Sequence, residues 1–82
     1  MAQAPAAILY LRLAFPSTAR HCAIVNARTR GPRGVVSNWT LHVASDRIVS
    51  ASRCSSGHPY AVPAERIPGN LADLALTAGR GT

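Results

Sequence analysis

Segment 38–45, NWTLHVAS, constrains the fold most, because apolar and polar residues alternate along it. Successive side chains of an extended strand point to opposite faces, so Trp39, Leu41 and Val43 would share one face. The polar residues of the opposite face are Asn38, Thr40 and His42. This alternation predicts a half-buried β-strand, which in turn requires neighbouring strands and a layer packed against its apolar side.

Two other candidate strands precede this segment. The apolar segment 8–15, ILYLRLAF, has apolar residues at all its odd positions, which are Leu9, Leu11, Leu13 and Phe15. That partial two-residue period favours a strand, with a short helix ending before Pro16 as the alternative. Segment 21–27, HCAIVNA, is short and contains the β-branched pair Ile24 and Val25, which predicts a second strand.

A hairpin is predicted directly after the alternating segment. Ser45 and Asp46 can bond nearby backbone amides and so favour a turn, and segment 47–52, RIVSAS, then resumes an extended pattern. The following segment, 53–69, contains three prolines and two glycines and is expected to be mostly loop.

One helix is predicted at the carboxyl end, in segment 70–79. Asn70 is a suitable N-cap, Asp73 lies near the positive end of the helix dipole, and Gly79 is a suitable C-terminal stop. The apolar residues that share one face at helical spacing are Leu71, Leu74, Ala75 and Ala78. A helix this short is marginal alone, so it should pack on the sheet.

These elements together predict an α+β fold, in which a small antiparallel sheet of three or four strands carries one short C-terminal helix on one face. With 82 residues, the chain is expected to be a single small domain, residues 1–82. Residues 1–19 are a candidate removable or flexible N-terminal segment, and residues 53–69 are loop-rich.

The apolar run at residues 6–15 is relevant to where in the cell the protein is located. It is too short for a membrane-spanning helix, which needs about 20 residues, so no transmembrane span is expected. The small residues at 17–19 are compatible with a secretory cleavage site, and the acid-free first 45 residues with an organelle transit peptide. We expect a cytoplasmic protein, with organelle targeting or secretion as alternatives.

The candidate metal ligands give a weak pattern. Cys54 and His58 form one Cys-x3-His pair, whereas the side chains of the adjacent His21 and Cys22 would diverge on an extended chain. Structural zinc usually requires two close pairs, so neither a metal nor another cofactor is expected. A disulfide between Cys22 and Cys54 stays open, because it depends on the compartment.

Two groupings of residues could suggest catalysis, but neither meets its requirements. His42, Ser45 and Asp46 lie close in sequence, yet a hairpin turn already explains the last two, and triads are normally assembled from distant segments. Cys54 with His58 lacks an evident orienting group. Phosphate-binding glycine motifs are absent from the sequence. We therefore expect a protein that is not an enzyme.

Charge gives the main functional indication. The chain carries nine arginines, no lysine and three acidic residues, for a net charge of +6, and its first 45 residues contain five arginines and no acid. Such a surplus favours polyanions, because binding them releases counterions. Segment 26–34, NARTRGPRG, concentrates this charge around a Gly-Pro pair. Arginine binds phosphate with a planar fork of donors and stacks on bases.

The sequence therefore predicts a small basic binding module that contacts a polyanion, nucleic acid, through an arginine-rich loop. The candidate nucleic-acid-binding residues are Arg20, Arg28, Arg30, Arg33 and Arg47. A protein-binding or inhibitory module that uses a sheet edge or the helix face is the first alternative. The second is an open reading frame without selected function, since a GC-rich frame supplies Ala, Gly, Arg and Pro by default.

Overall fold

The computed structural model describes residues 5–18 and 22–80, which form one antiparallel sheet of five strands and one α-helix. The strands are β1 (Ala7–Phe15), β2 (Ala23–Arg30), β3 (Val36–Val43), β4 (Ile48–Ser55) and β5 (His58–Ala61), paired in chain order. Two short 3-10 turns, Pro32–Gly34 and Ala64–Arg66, precede β3 and the helix α1 (Gly69–Arg80). The α+β class, the antiparallel sheet and the C-terminal helix are as predicted.

The predicted count of three or four strands is wrong, because the sheet has a fifth strand within the segment expected to be loop-rich. Ser56 and Gly57 have φ values of 60° and 88°, and this left-handed pair joins β4 to β5. Tight hairpins favour such turns, and Ser-Gly is a weaker sequence signal for them than Asn-Gly. Pro59 is tolerated because β5 pairs with β4 alone and lies at an edge of the sheet.

The core lies between the sheet and α1. Trp39, Leu41 and Val43 of β3 are buried, which confirms the alternation predicted for this strand. The other buried apolar residues are Ala23, Val25, Ala27, Ala51, Ile67, Leu71 and Ala75. The buried indole Nε1 of Trp39 donates a hydrogen bond of 2.9 Å to Oγ1 of Thr29 on β2.

Strand β1 departs from the predicted alternation at two places. Its register against β2 shifts between Ile8 and Tyr10 and again between Leu13 and Phe15. At each irregularity β1 contains one extra residue, so the side chains after it switch to the opposite face of the sheet. Leu11 and Leu13 therefore pack on the core as predicted, whereas the predicted apolar positions Leu9 and Phe15 are exposed. The strand itself, rather than the alternative short helix, is confirmed.

Helix α1 differs from its predicted ends. Asn70 lies inside the helix and does not cap it, because its side-chain amide bonds both the N–H and the carbonyl of Ala6 beside β1. Gly79 is also helical and is buried against Val43, so it does not end the helix. Leu71 and Ala75 face the core as predicted, but Leu74 is 48% exposed.

The two cysteines are free thiols at opposite ends of the sheet. Cys22 directly precedes Ala23, the partner of Val43, whereas Cys54 pairs with Asn38. Five residues of β3 separate these levels, which is about 17 Å along an extended strand and too far for a disulfide. Within the described ranges, α1 is the one α-helix, and no helix there is long and apolar enough to cross a membrane.

Candidate nucleic-acid interface

The sheet face opposite α1, called the open face below, is covered by none of the elements that the structure describes. Every second residue of the central strands contributes to it, because the intervening residues point into the core. Its side chains belong to Tyr10, Arg12, Phe15, Ile24, Asn26, Arg28, Arg30, Asn38, Thr40, His42, Ser50, Ser52 and Cys54. The open face is a polar surface with a few aromatic and apolar members.

The strand register arranges this surface in rows, because directly paired residues of antiparallel strands share a face. The first row is Tyr10, Arg28, Asn38 and Cys54. The second row is Arg12, Asn26, Thr40 and Ser52. The third row is Phe15, Ile24, His42 and Ser50. These three rows therefore bring together two arginines, two asparagines and the rings of Tyr10 and Phe15 on one face of the first three strands.

Arg28 is held in place by both of its neighbours in the first row. Its guanidinium carbon lies 5.2 Å from the centroid of the Tyr10 ring, a cation–π distance, and its Nε donates a 3.0 Å hydrogen bond to Oδ1 of Asn38. A guanidinium has five N–H donors, so both terminal nitrogens keep theirs for a ligand. The arrangement orients an arginine fork on an exposed surface, which suits bidentate binding of phosphate.

The acidic residues lie away from this face. Asp46 is in the turn between β3 and β4, Glu65 is in the second 3-10 turn, and Asp73 is on α1. These three are all the acids of the chain, so no strand carries a negative side chain. The potential over the open face is therefore set by Arg12, Arg28 and Arg30, and it favours anions.

The structure brings together only some of the arginines predicted from sequence. Arg28 and Arg30 follow one another on the exposed side of β2, and Arg33 lies just beyond, in the first 3-10 turn. Arg47 lies in the turn at the other end of β3, and eight residues of strand separate the two ends by about 25 Å. Arg20 falls outside the described residues. The predicted loop is thus mainly a strand with a short basic connection.

Sequence reasoning missed Arg12, Tyr10 and Phe15 as members of the site. Arg12 pairs with Asn26 on β2, and the Tyr10 ring contacts the guanidinium of Arg28. Both residues therefore belong to the same surface as the predicted Arg28. The mixed even positions of segment 8–15 contain the signal for Tyr10 and Arg12. Phe15 had no such signal, because the second register shift in β1 moves its ring, which is 63% exposed, to the open face.

His42 and Ser50, in the third row, are joined by a hydrogen bond of 3.1 Å between Nδ1 and Oγ. The pair links β3 to β4 across the open face and lies beside the apolar side chain of Ile24. Within residues 5–18 and 22–80, no three His, Cys, Asp or Glu side chains are grouped as a metal site would require. The groups this face presents are hydrogen-bond donors, acceptors, cations and aromatic rings.

Comparison of the chain with protein-family models, with curated proteins and with solved structures finds no match. The functional assignment therefore depends on the geometry and charge of the site.

Proposed function

We propose that this protein is a non-enzymatic nucleic-acid-binding module whose contact surface is the open face of its sheet. The observation that carries the proposal is the oriented Arg28, which stacks on Tyr10 and is fixed by Asn38 on a sheet without acidic side chains. Arg12 adds a second positive charge on the neighbouring strand, one row away. Arg30 and Arg33 extend the positive charge past the end of β2.

A single strand is the form of nucleic acid that fits this surface best. Exposed aromatic rings on a β-sheet are stacking platforms for unpaired bases, whereas a closed duplex hides the faces of its bases. Tyr10 and Phe15 pair with Arg28 and Ile24, which are four residues apart on β2, and this corresponds to about 13 Å of strand. Arg12 lies between them, so β1 alternates base-stacking and phosphate-binding groups along its length.

The polar residues of the central strands complete the surface. Asn26, Thr40 and Ser52 share the row of Arg12 and carry both donors and acceptors. Such side chains bind the edges of exposed bases, while arginine binds the backbone. The proposed affinity is therefore mainly electrostatic, with a smaller contribution from base contacts.

The protein-interaction alternative is less well supported, because both sheet edges carry features that oppose pairing with another chain. Edge strand β1 has two register irregularities and a central arginine, and edge strand β5 is four residues long and contains Pro59. Natural proteins use bulges, charges, prolines and short strands to block such pairing. On α1, Leu74 is exposed, but it is a single apolar side chain.

The proposal is tested by binding of a fluorescent single-stranded oligonucleotide at several salt concentrations. The variants are Arg12→Ala and Arg28→Ala, and the matched control is Arg80→Ala, which removes the same charge from the exposed end of α1. Each lost phosphate contact should lower the slope of log K against log salt by about 0.7 for a single strand.

We expect weaker binding by both open-face variants, a reduced salt slope, and near-native binding by the control. The stacking residue gives a second measure, because Phe15→Ala should weaken single-strand binding more than duplex binding. Equal losses in Arg28→Ala and Arg80→Ala would show that net charge alone causes binding. A flat salt dependence would exclude the polyanion mechanism.

A further inference from the structure

A groove separate from the open face lies on the α1 side of the sheet, beside the start of the helix. It has a volume of about 620 Å³, within the range of small-molecule pockets. Its polar lining comes from the three central strands β2, β3 and β4 and comprises Thr29, Arg30, Ser37, Arg53 and Ser55. The indole of Trp39 forms part of its floor, and Pro32, Val35 and Pro68 add apolar wall.

Arg53 is a positioned cation at the edge of this groove, where it also lines a neighbouring pocket with Tyr60 and Arg66. Its guanidinium carbon lies 5.7 Å from the Trp39 ring and 5.0 Å from the Tyr60 ring, so it is bracketed by two aromatic side chains. Its Nε donates a 2.6 Å hydrogen bond to the phenol oxygen of Tyr60, and Nη2 donates to the same oxygen. Both hydrogens of Nη1 and one of Nη2 are left for a ligand by these contacts.

Two hydroxyls, those of Ser37 and Thr29, are further hydrogen-bond donors in the groove. Ser37 is only 7% exposed and lines the groove, yet in the part of the chain that the structure describes its hydroxyl has no hydrogen-bond partner. Every fully enclosed side-chain polar atom there does have one, so the Ser37 hydroxyl must reach the groove. Thr29, 4% exposed, accepts from Trp39 through Oγ1 and keeps its own proton to donate.

A hydroxyl that opens into the groove can donate to a ligand there, and a cation without a carboxylate nearby attracts an anion. No acid lines the groove, and Arg30 adds a second positive charge at its rim. Pro68 directly precedes α1, so the positive end of the helix dipole lies at the same side. Hydroxyl and guanidinium donors therefore line one groove and suit an anionic group, while the indole and the apolar wall suit an apolar body.

We propose that this groove binds a small carboxylate attached to an apolar or aromatic body. The carboxylate accepts from the terminal nitrogens of Arg53 and from the Ser37 hydroxyl, and the body packs on Trp39. A planar carboxylate matches the arginine fork with two parallel hydrogen bonds. The groove lies on the face of the sheet opposite the nucleic-acid surface, and Arg30, at the end of β2, is the one residue assigned to both sites.

The test is an amide-correlation NMR titration with 3-phenylpropionate, compared with its neutral analogue 3-phenylpropionamide. The carboxylate should shift the signals of Ser37, Arg53 and the Trp39 indole, and it should bind at least about tenfold more tightly than the amide, because a charged hydrogen bond is lost in the amide. Inorganic phosphate is the competing anion and should displace the carboxylate only weakly, since it has no apolar body.

Three variants distinguish the donors. Ser37→Ala should weaken carboxylate binding about fivefold, because it removes one hydrogen bond and leaves the fold's other contacts in place. Arg53→Gln should weaken carboxylate binding at least about tenfold. Arg53→Lys keeps the charge but loses the planar fork, so its carboxylate affinity should lie between those of Arg53→Gln and the native chain. Arg47→Gln, in the distant turn, is the charge control and should bind normally.

Equal affinity for the carboxylate and the amide would overturn the proposal. So would signal shifts confined to the open face, the absence of shifts at millimolar ligand, or displacement by an equal concentration of phosphate. If Arg53→Gln fails to fold, the Ser37→Ala result and the amide comparison still decide the outcome. The oligonucleotide assay described above is separate, so failure here does not imply failure there.

Discussion

Gly79 offers a sharp test of how α1 packs on the sheet. It is a buried glycine within the helix, where alanine normally improves stability. A Cβ added at this position would lie 2.9 Å from Cγ1 and 3.3 Å from Cβ of Val43, and 3.6 Å from Cβ of Ala23. Gly69, at the start of the same helix, has no atom within 4 Å of its added Cβ and is the matched control.

The expected magnitude follows from two opposing effects. Helix propensity favours alanine over glycine by about 1 kcal/mol in a helix interior. Overpacking a tight core costs about 1–3 kcal/mol. Val43 is fully buried and β-branched, so its side chain has little freedom to move away. We therefore expect Gly79→Ala to be about 1–3 kcal/mol less stable than Gly69→Ala, with each kcal/mol lowering Tm by about 4–8 °C.

The measurement is thermal or urea unfolding of the native chain and both variants, followed by circular dichroism. A double-mutant cycle locates the cause: Val43→Ala should cost less in the Gly79→Ala background than in the native chain, because it removes the crowded methyl groups. If Gly79→Ala proves as stable as Gly69→Ala, the close approach of α1 to β2 and β3 is refuted.

Two further predictions concern single contacts. In urea unfolding, Thr29→Val should lower the free energy of unfolding by about 1–3 kcal/mol, because it leaves the buried Trp39 Nε1 without its acceptor. Thr29→Ser keeps the acceptor oxygen and should retain most of the stability. Ser56→Asn should raise Tm by a few degrees, because asparagine tolerates the left-handed φ of 60° better than serine. The control is Ser45→Asn in the turn between β3 and β4, where the exposed serine has no positive φ, and it should leave Tm unchanged. An unchanged Tm in Thr29→Val or a lowered one in Ser56→Asn would contradict these two assignments.

The fold was predictable where local pattern and tertiary structure agree. The alternation of β3 identified its buried face correctly, since every second residue meets the same apolar layer. The predicted capping role of Asn70 failed because a tertiary contact with Ala6, 64 residues away, takes its side chain. The faces of β1 could not be predicted either, because its register shifts arise only on pairing with β2.

The candidate site was predictable only in part. Charge density identified Arg28 and Arg30, but a run of residues in sequence is not a surface in space. Pairing across strands adds Arg12 and Tyr10 to Arg28, and it places Arg47 at the opposite end of the sheet. Ser37, in the groove, is an ordinary strand serine by sequence, and only its burial without a partner in the described structure makes it notable.

The central claim is that the open face of the sheet binds single-stranded nucleic acid, and a residue-resolved map of binding tests it most directly. An amide-correlation NMR titration with a short single-stranded oligonucleotide should shift the signals of Arg12, Asn26, Arg28 and Thr40. Signals of Ala72 and Thr77 on α1 should stay in place, and high salt should reverse the shifts. A well-dispersed spectrum unmoved by the oligonucleotide, or shifts concentrated on α1, would contradict the claim.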